Sequence, residues 1–316
     1  MKSILHHCCC GLAVLALAHG SGAAAPRAAD GKIELLRDTW GIPHVFSDTD
    51  TGAMYGLGYA TAQERGFQMT YSLRIIQGRL GEVIGDRRRG NGSETALTHD
   101  RTMRTFGWAR AAARTAANLD APTREWLAAY CAGVNASFAA QQQDGSLHPL
   151  FQQLGVVPEP WTPADCLLSW WHLAQFFASD GTRDLLAWRH RTNPQPGQPQ
   201  PPQPGPQWFD DAAAVVQRDD VSDAWLKRTE AFAAAHSPGG NAGSRDGPKF
   251  SQAWVVGGSR TTTGAAVLVS DPQTPVRNPS LWMEFHVSGR TFNARGVGVP
   301  GSPALLIGRA SCRERV

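Results

Sequence analysis

Residues 251–264, SQAWVVGGSRTTTG, separate two parts of this chain that differ in character. An apolar run within this stretch is followed by a Gly/Thr segment and by a second apolar run at 265–269, which predicts two β-strands joined by a turn. A Pro/Gln-rich run and a Gly/Ser/Asn segment lie before it, between 193 and 250, and indicate a spacer. A serine that is first on a strand and follows such a spacer suggests a precursor cut between Phe250 and Ser251.

That cut would give Ser251 a free α-amino group. A terminal amine has a pKa near ~8 and can accept the hydroxyl proton, so one residue would carry both nucleophile and base. Ser244, which follows Gly243, is an alternative cut site, but no strand-forming run follows it directly. The sequence lacks the G-x-S-x-G and H-E-x-x-H patterns of other hydrolases. Ser251 is therefore the candidate nucleophile.

The composition excludes one class of partner. At 316 residues, the chain is long enough for one large domain or two small ones. Its residues are 42% hydrophobic and 18% charged, a balance that favours a packed core in a soluble protein. The formal net charge of +3 is small, and no basic stripe interleaved with aromatic residues is present. We therefore expect no nucleic-acid partner.

The N-terminus has the three parts of a secretory signal, which we assign to residues 1–25. Lys2 gives a charged start, residues 4–18 are mostly apolar, and residues 23–25 are alanines that suit a cleavage site. The apolar stretch is short and interrupted for a membrane-spanning helix, so no membrane partner is expected. The pattern predicts a periplasmic or secreted protein.

The last ten residues, IGRASCRERV at 307–316, resemble translated adapter DNA. Codons for them can be chosen that spell a common sequencing-library adapter, and the next adapter triplet is a stop codon. We expect the natural gene to depart from this chain near Leu306 and to continue, so that the chain is a C-terminally truncated fragment.

Of the six cysteines, three lie in the predicted signal and Cys312 in the adapter-like run. Cys131 and Cys166 remain. In an oxidising compartment they would form one disulfide, whereas their helix-like apolar neighbours favour two buried free thiols. The sequence leaves both alternatives open.

Hydrophobic spacing predicts the elements before the spacer. Two short strands around a turn are predicted over 33–46. A helix should follow from 53 to 78, with Asp48 or Asp50 as its cap. A second helix is predicted over 123–140, where apolar residues recur at helical spacing.

A third helix is expected to begin at residues 162–165, TPAD, and to continue into a Trp/Phe-rich run. Residues 33–192 are therefore predicted to be mostly helical, 193–250 to be spacer and 251–306 to be strand. This order of elements predicts an α+β protein.

Six short motifs occur along the chain: RDTWGIPHV (37–45), GLGYATAQER (56–65), GRLGEVIG (78–85), YCAGVN (130–135), the stretch at 251–264, and PGSP (300–303). In this order they resemble the motifs of the penicillin acylase family. The resemblance extends over residues 33–306 apart from the spacer, and the number and order of the motifs make it specific.

Members of that family are N-terminal nucleophile hydrolases, so the resemblance implies a four-layer αββα sandwich. It implies a precursor that cuts itself and releases the spacer 193–250. The α-subunit (26–192) and the β-subunit (from 251) would then stay associated. It also implies hydrolysis of the amide bond of a small N-acyl substrate, of the penicillin or acyl-homoserine-lactone type.

The resemblance also implies site residues. It places the nucleophile at Ser251 and, at Gln273, a glutamine that orients active-site groups. Phe176 falls near an aromatic residue that lines the acyl pocket, and Trp171 and Phe177 are close to it in sequence. The calcium-binding glutamate of some members has no counterpart, the nearest position being around 182–184. No cofactor is therefore assigned, and calcium in the full-length enzyme is left open.

Two positions depart from the family pattern, since Gln252 stands where Asn is usual and Phe250 where Gly or Ala is common. The oxyanion-hole residues of the family would lie beyond Leu306, so we expect the 316-residue chain itself to be inactive. The alternative hypothesis is a non-catalytic secreted binding protein on the same scaffold. His44 is interpreted as a structural hydrogen-bonding residue, and His286 as either a cleft residue or a packing residue.

Overall fold

Among the described residues, two strands and seven helices lie between 31 and 177, and five strands lie between 252 and 312. The structure is a computed structural model, which describes residues 31–88, 94–177, 227, 252–271, 274 and 278–312. Its helices are α1 (Asp50–Gln77), α2 (Gly81–Ile84), α3 (Ala96–Phe106), α4 (Trp108–Ala117), α5 (Ala121–Asp144), α6 (Pro149–Gln153) and α7 (Pro163–Phe177). Its strands are β1 (Ile33–Arg37), β2 (Pro43–Ser47), β3 (Gln252–Val256), β4 (Val267–Asp271), β5 (Met283–Ser288), β6 (Phe292–Gly298) and β7 (Leu305–Cys312). The α+β class is confirmed.

Five strands form one mixed sheet in the order β1-β2-β5-β6-β7. The β2–β5 pair is parallel and the other neighbours are antiparallel. The antiparallel β1–β2 pair confirms the two strands predicted over 33–46. Because β2 precedes the predicted spacer and β5 follows it, their pairing joins the two predicted subunit regions in a single sheet.

Helix α1 begins at a different cap from the one that the sequence suggests. Thr49 is the N-cap, since its hydroxyl accepts a hydrogen bond from the N–H of Gly52 at 3.0 Å. Asp50 is the first helical residue, and its carboxylate accepts bonds from N and Oγ1 of Thr291 at 2.8 and 2.6 Å. A cap at Asp48 or Asp50 is therefore wrong. The carboxylate of Asp50 instead holds the start of α1 to the turn between β5 and β6.

Helices α1 and α5 cross at close range over two glycines. A β-carbon at Gly58 would collide with the backbone carbonyl of Tyr130, and one at Gly133 with that of Tyr55. Glycine therefore lets the two backbones approach each other. The helix predicted over 123–140 lies within α5.

One face of the sheet packs on α1 and forms part of the main core. Val45, Phe285 and Val287 on this face are buried. Successive residues of a strand point to opposite faces, so the residues between them lie on the other side. That opposite face carries His44, Phe46, Glu284, His286, Asn293 and Arg295.

Strands β3 and β4 form a separate antiparallel hairpin, as predicted. Its apolar side chains are exposed on both faces, with Trp254 at 55% and Val255 at 72%. Strands that are apolar on both faces are typical of sheets covered on both sides. The described residues leave both faces of this hairpin largely open.

The predicted subunit boundaries lie outside the described residues and stay predictions. Strand β7 extends into the adapter-like run and pairs with β6 over its length. In the part of the chain that the structure describes, no helix combines the length and the apolar character needed to cross a membrane.

Candidate active site

Strand β3 begins at Gln252, directly after Ser251 in the chain. Gln252 pairs with Asp271, the last residue of β4. Ser251 directly precedes Gln252 in the chain, and Gln273 follows Asp271 two positions later. Both residues are therefore sequence neighbours of the same end of the hairpin. These two residues lie outside the described part of the structure, and their roles stay predictions.

The aromatic residues predicted to line an acyl pocket are in the second half of α7. Phe176 and Phe177 end this helix, but their side chains are not among the groups that the structure describes. Trp171 is partly buried, packs against the main core and meets the ring of Trp108 in α4 edge-on, with the ring centroids 5.8 Å apart. Trp171 thus holds α7 against α4, and a role in the pocket stays a prediction.

Two polar side chains fix the start of α7. The carboxylate of Asp165 accepts bonds from N and Oγ1 of Thr162 at 2.9 and 2.6 Å, although burial raises the pKa of Asp165. On α5, Asn135 accepts a bond from the N–H of Trp161 at 2.7 Å and donates one to its carbonyl oxygen at 3.0 Å. The last residue of the YCAGVN motif therefore anchors the loop that leads into α7.

The turn between β6 and β7 lies against the same helix. Gly301 has a φ of 106°, which favours glycine. A β-carbon there would lie 2.7 Å from Ser169 Oγ in α7 and 3.0 Å from the ring of Trp161. The PGSP motif therefore brings the strand region into contact with the predicted pocket helix.

A row of hydrogen-bonding side chains crosses the sheet face opposite α1. His44 Nδ1 and His286 Nδ1 are 3.1 Å apart on neighbouring strands. At the outer ends, His44 Nε2 lies 3.4 Å from Asp38 Oδ2, and His286 Nε2 lies 2.8 Å from Asn293 Oδ1. Partial desolvation raises the pKa of Asp38, but two backbone N–H bonds and the nearby His44 outweigh it, so this pKa lies below its ordinary value.

The contacts of this row link the tautomers of its two rings. A neutral imidazole has one N–H, and here each ring directs its Nε2 at an oxygen acceptor. The Nδ1–Nδ1 contact needs an N–H from one ring and a lone pair from the other, so the tautomers of His44 and His286 depend on each other. If the amide of Asn293 turned so that Nδ2 donated to His286, two neutral rings would complete the row. Which ring nitrogens carry a hydrogen is thus linked to the orientation of Asn293.

The two histidines considered from the sequence are therefore partners. His44 makes hydrogen bonds of the kind expected of a structural residue, and the ring of Phe46 meets His286 edge-on at 5.1 Å. Within the described residues, no group of three or more His, Cys, Asp or Glu side chains could hold a metal ion. The segment around 182–184, the nearest position to the family's calcium ligand, lies outside them, so calcium binding stays open.

A family model described as Penicillin amidase matches residues 32–311, which include both the helical and the strand regions. The chain belongs to the penicillin amidase family. The resemblance found in the motifs is thereby confirmed, and the described helices and strands have the predicted α+β class. The described residues form a sheet packed on helices and one separate hairpin.

Several curated relatives carry acylase names. The chain is 29% identical over 295 residues to the penicillin acylase 2 proenzyme of Pseudomonas sp. (strain SE83), covering 86% of this chain and 34% of that protein. It is 28% identical to the acyl-homoserine lactone acylase QuiP of Pseudomonas aeruginosa, covering 87% of this chain and 32% of that protein. It is 24% identical to the penicillin G acylase of Escherichia coli, covering 88% of this chain and 37% of that protein. The chain thus spans about a third of the length of these relatives. Among solved structures, a thermostable penicillin G acylase from Alcaligenes faecalis is similar at 27% identity and a TM-score of 0.44, over 52% of this chain and 85% of that chain.

Proposed function

We propose that the protein is an acylase that hydrolyses the amide bond of small N-acyl compounds, with Ser251 as its nucleophile. The main support for this proposal is the position of Ser251. In a chain of the penicillin amidase family, this serine directly precedes the first residue of β3. A cut between Phe250 and Ser251 makes β3 the first strand of a new chain and gives the serine a terminal amine. The acylase names of the relatives support the same reaction class.

The chemistry uses the new chain end. The α-amine of Ser251 takes the proton of its own Oγ, directly or through a water, and Oγ attacks the amide carbon of the substrate. The tetrahedral intermediate expels the amine, which leaves with that proton, and an acyl-enzyme ester remains. Water then attacks the ester, the carboxylic acid departs and Oγ regains its proton. Gln273 orients groups around the reacting carbonyl.

The acyl group is apolar in this proposal. Helix α7 is rich in aromatic residues and ends at Phe176 and Phe177, with Trp171 on the preceding turns. The relatives include penicillin acylases and acyl-homoserine lactone acylases, whose named substrates carry an acyl group on an amide nitrogen. We place the reaction in the periplasm or outside the cell because of the signal-like residues 1–25.

The two subunits remain together after the cut. The parallel pairing of β2 with β5 supports this association, because it places strands of both subunit regions side by side. The bonds from Thr291 to Asp50 support it as well, since they join a strand-region turn to the start of α1.

Two serine variants of the natural gene product test the proposal. Release of amine from phenylacetyl-p-nitroanilide and from a long-chain acyl-homoserine lactone is measured together with intact mass. We expect the natural protein to be cut and to hydrolyse at least one probe. Ser251→Ala should stay uncut, with less than about a thousandth of the activity. Ser244→Ala, a matched change at the alternative cut site, should be cut and active.

Two results would decide against the acylase. Cleavage and hydrolysis by the Ser251→Ala protein would refute the nucleophile. A natural protein that stays uncut and binds N-acyl amides without hydrolysing them would favour the binding-protein hypothesis. Phe250 and Gln252 support that hypothesis because they depart from the family pattern at the cut.

A further inference from the structure

Two buried cysteines face each other between α5 and α7. Cys131 Sγ and Cys166 Sγ are 3.6 Å apart, and the two residues are only 4% and 1% exposed. Both are free thiols in the structure. A disulfide has its sulfurs about 2.05 Å apart, so the bond requires an approach of roughly 1.5 Å. Side-chain rotation and a small helix shift can supply this movement.

The surroundings of this pair hinder exchange once the chain has folded. Cys131 and Cys166 both belong to the main core cluster, together with the buried Tyr130. Burial, and then the contact with Cys166, raises the pKa of the Cys131 thiol, so the folded protein holds little thiolate there. Thiol–disulfide exchange needs an accessible thiolate. A dithiol or a disulfide enclosed in this core is therefore slow to convert into the other form.

We propose that Cys131 and Cys166 form a disulfide that joins α5 to α7 when the chain folds in the presence of a disulfide donor, and that the redox state set during folding then persists. The donor is a small-molecule disulfide such as oxidised glutathione. One cysteine thiolate attacks it to give a mixed disulfide, and the thiolate of the other cysteine displaces the donor's second sulfur. The two cysteines lose two electrons and two protons, and the donor is reduced to two thiols.

The bond would act on the helix that carries the predicted pocket residues. It would add a covalent link close to the hydrogen bonds by which Asn135 holds Trp161, at the start of α7. It would also close a loop between positions that are 35 residues apart, which restricts the unfolded chain. The oxidised protein should therefore unfold at a higher temperature than the reduced one.

Refolding the natural gene product with and without oxidised glutathione tests the proposal. Each sample is denatured in acid, alkylated and mapped by mass spectrometry. After oxidative refolding, we expect a linked peptide pair containing Cys131 and Cys166, lighter than the two free peptides by two hydrogen atoms. Peptide mapping distinguishes this link from bonds that involve any other cysteine. The Tm of this sample should exceed that of the reduced sample, and Cys131→Ala/Cys166→Ala should have the same Tm under both conditions.

A separate measurement tests whether the redox state of Cys131 and Cys166 persists after folding. Protein folded under reducing conditions is exposed to oxidised glutathione without denaturant, and we expect both cysteines to stay alkylatable for hours after this treatment. Rapid formation of the bond in the folded protein would overturn the persistence. Two fully alkylated cysteines after oxidative refolding would overturn the disulfide site itself.

Discussion

His44 and His286 form a pair that depends on the pairing of two strands far apart in the chain. They are separated by 242 residues, and the parallel register of β2 and β5 places them side by side. Each ring has a second partner, Asp38 for one and Asn293 for the other. Removing either ring leaves a nitrogen and an oxygen without their hydrogen bonds.

We expect His44→Phe and His286→Phe each to lower the free energy of unfolding by about 1–3 kcal/mol, because each leaves polar groups unpaired. The double variant should lose about 1 kcal/mol less free energy of unfolding than the two single variants together. The reason is that the double variant leaves neither Nδ1 atom without its partner. Urea unfolding of all four proteins measures this difference. Strict additivity would show that the two rings do not interact.

The second prediction at this scale concerns the helix crossing. Gly58→Ala should cost about 3 kcal/mol or prevent folding, because the new methyl group would meet the carbonyl of Tyr130. Gly257→Ala is the matched control, since a β-carbon there meets nothing within 4 Å and the φ is −63°. Thermal unfolding compares the two. Equal stabilities would contradict the close approach of α1 and α5.

At the scale of elements, the start of α1 has a testable link to the strand region. Asp50→Ala should lower the free energy of unfolding by about 2 kcal/mol, because it removes two bonds from Thr291 to a charged acceptor. Asp48→Ala, an exposed aspartate at the neighbouring candidate cap, should change it by less than about 0.5 kcal/mol. Both variants are measured by chemical denaturation. If Asp48→Ala lost more free energy of unfolding than Asp50→Ala, the assigned link between Asp50 and Thr291 would be contradicted.

A second link connects the end of α1 with α2 and with the loop before α7. Arg79 donates to both Glu82 and Glu159, at 2.7–2.8 Å, and these bonds are the main cause that lowers the pKa of each glutamate. A carboxylate whose pKa is lower in the folded than in the unfolded state stabilises the fold above its unfolded pKa, about 4.3 for Glu. That stabilisation is lost as the pH falls through the folded value.

Glu159→Gln should therefore destabilise the protein at neutral pH and lose its effect in acid. Because Glu159 is half exposed, the difference at pH 7 should stay below about 1 kcal/mol. This difference should shrink as the pH falls below the unfolded pKa of about 4.3 and then through the lowered folded-state pKa of Glu159. Unfolding midpoints of the unchanged protein and of the Glu159→Gln variant, from neutral to acidic pH, measure this stability difference. A stability difference that grows as the pH falls would contradict the prediction.

At the scale of the whole molecule, the sequence predicted what depends on neighbouring residues. Hydrophobic spacing placed the strands around residues 38–43, the helix within α5 and the start of α7, because short-range patterns determine these elements. Motif order indicated the family. It also identified Gly58, Gly133 and Asn135 as members of motifs, without giving the contacts that explain them.

What the sequence did not predict comes from contacts over long distances in the chain. The parallel β2–β5 pair, and with it the contact of His44 with His286, requires two strands from opposite sides of the spacer. The cap of α1 was missed because Asp50 is drawn to Thr291, which leaves the capping bond to Thr49. No local pattern contains these partners.

The hairpin of β3 and β4 is where the central claim can be tested most directly. Its apolar faces and its position directly after Ser251 fit a strand that begins a mature subunit. N-terminal sequencing of the active natural protein should yield one chain that begins with Ser251, followed by Gln252, Ala253 and Trp254. An active preparation in which every chain continues uncut from Phe250 into Ser251 would contradict the account.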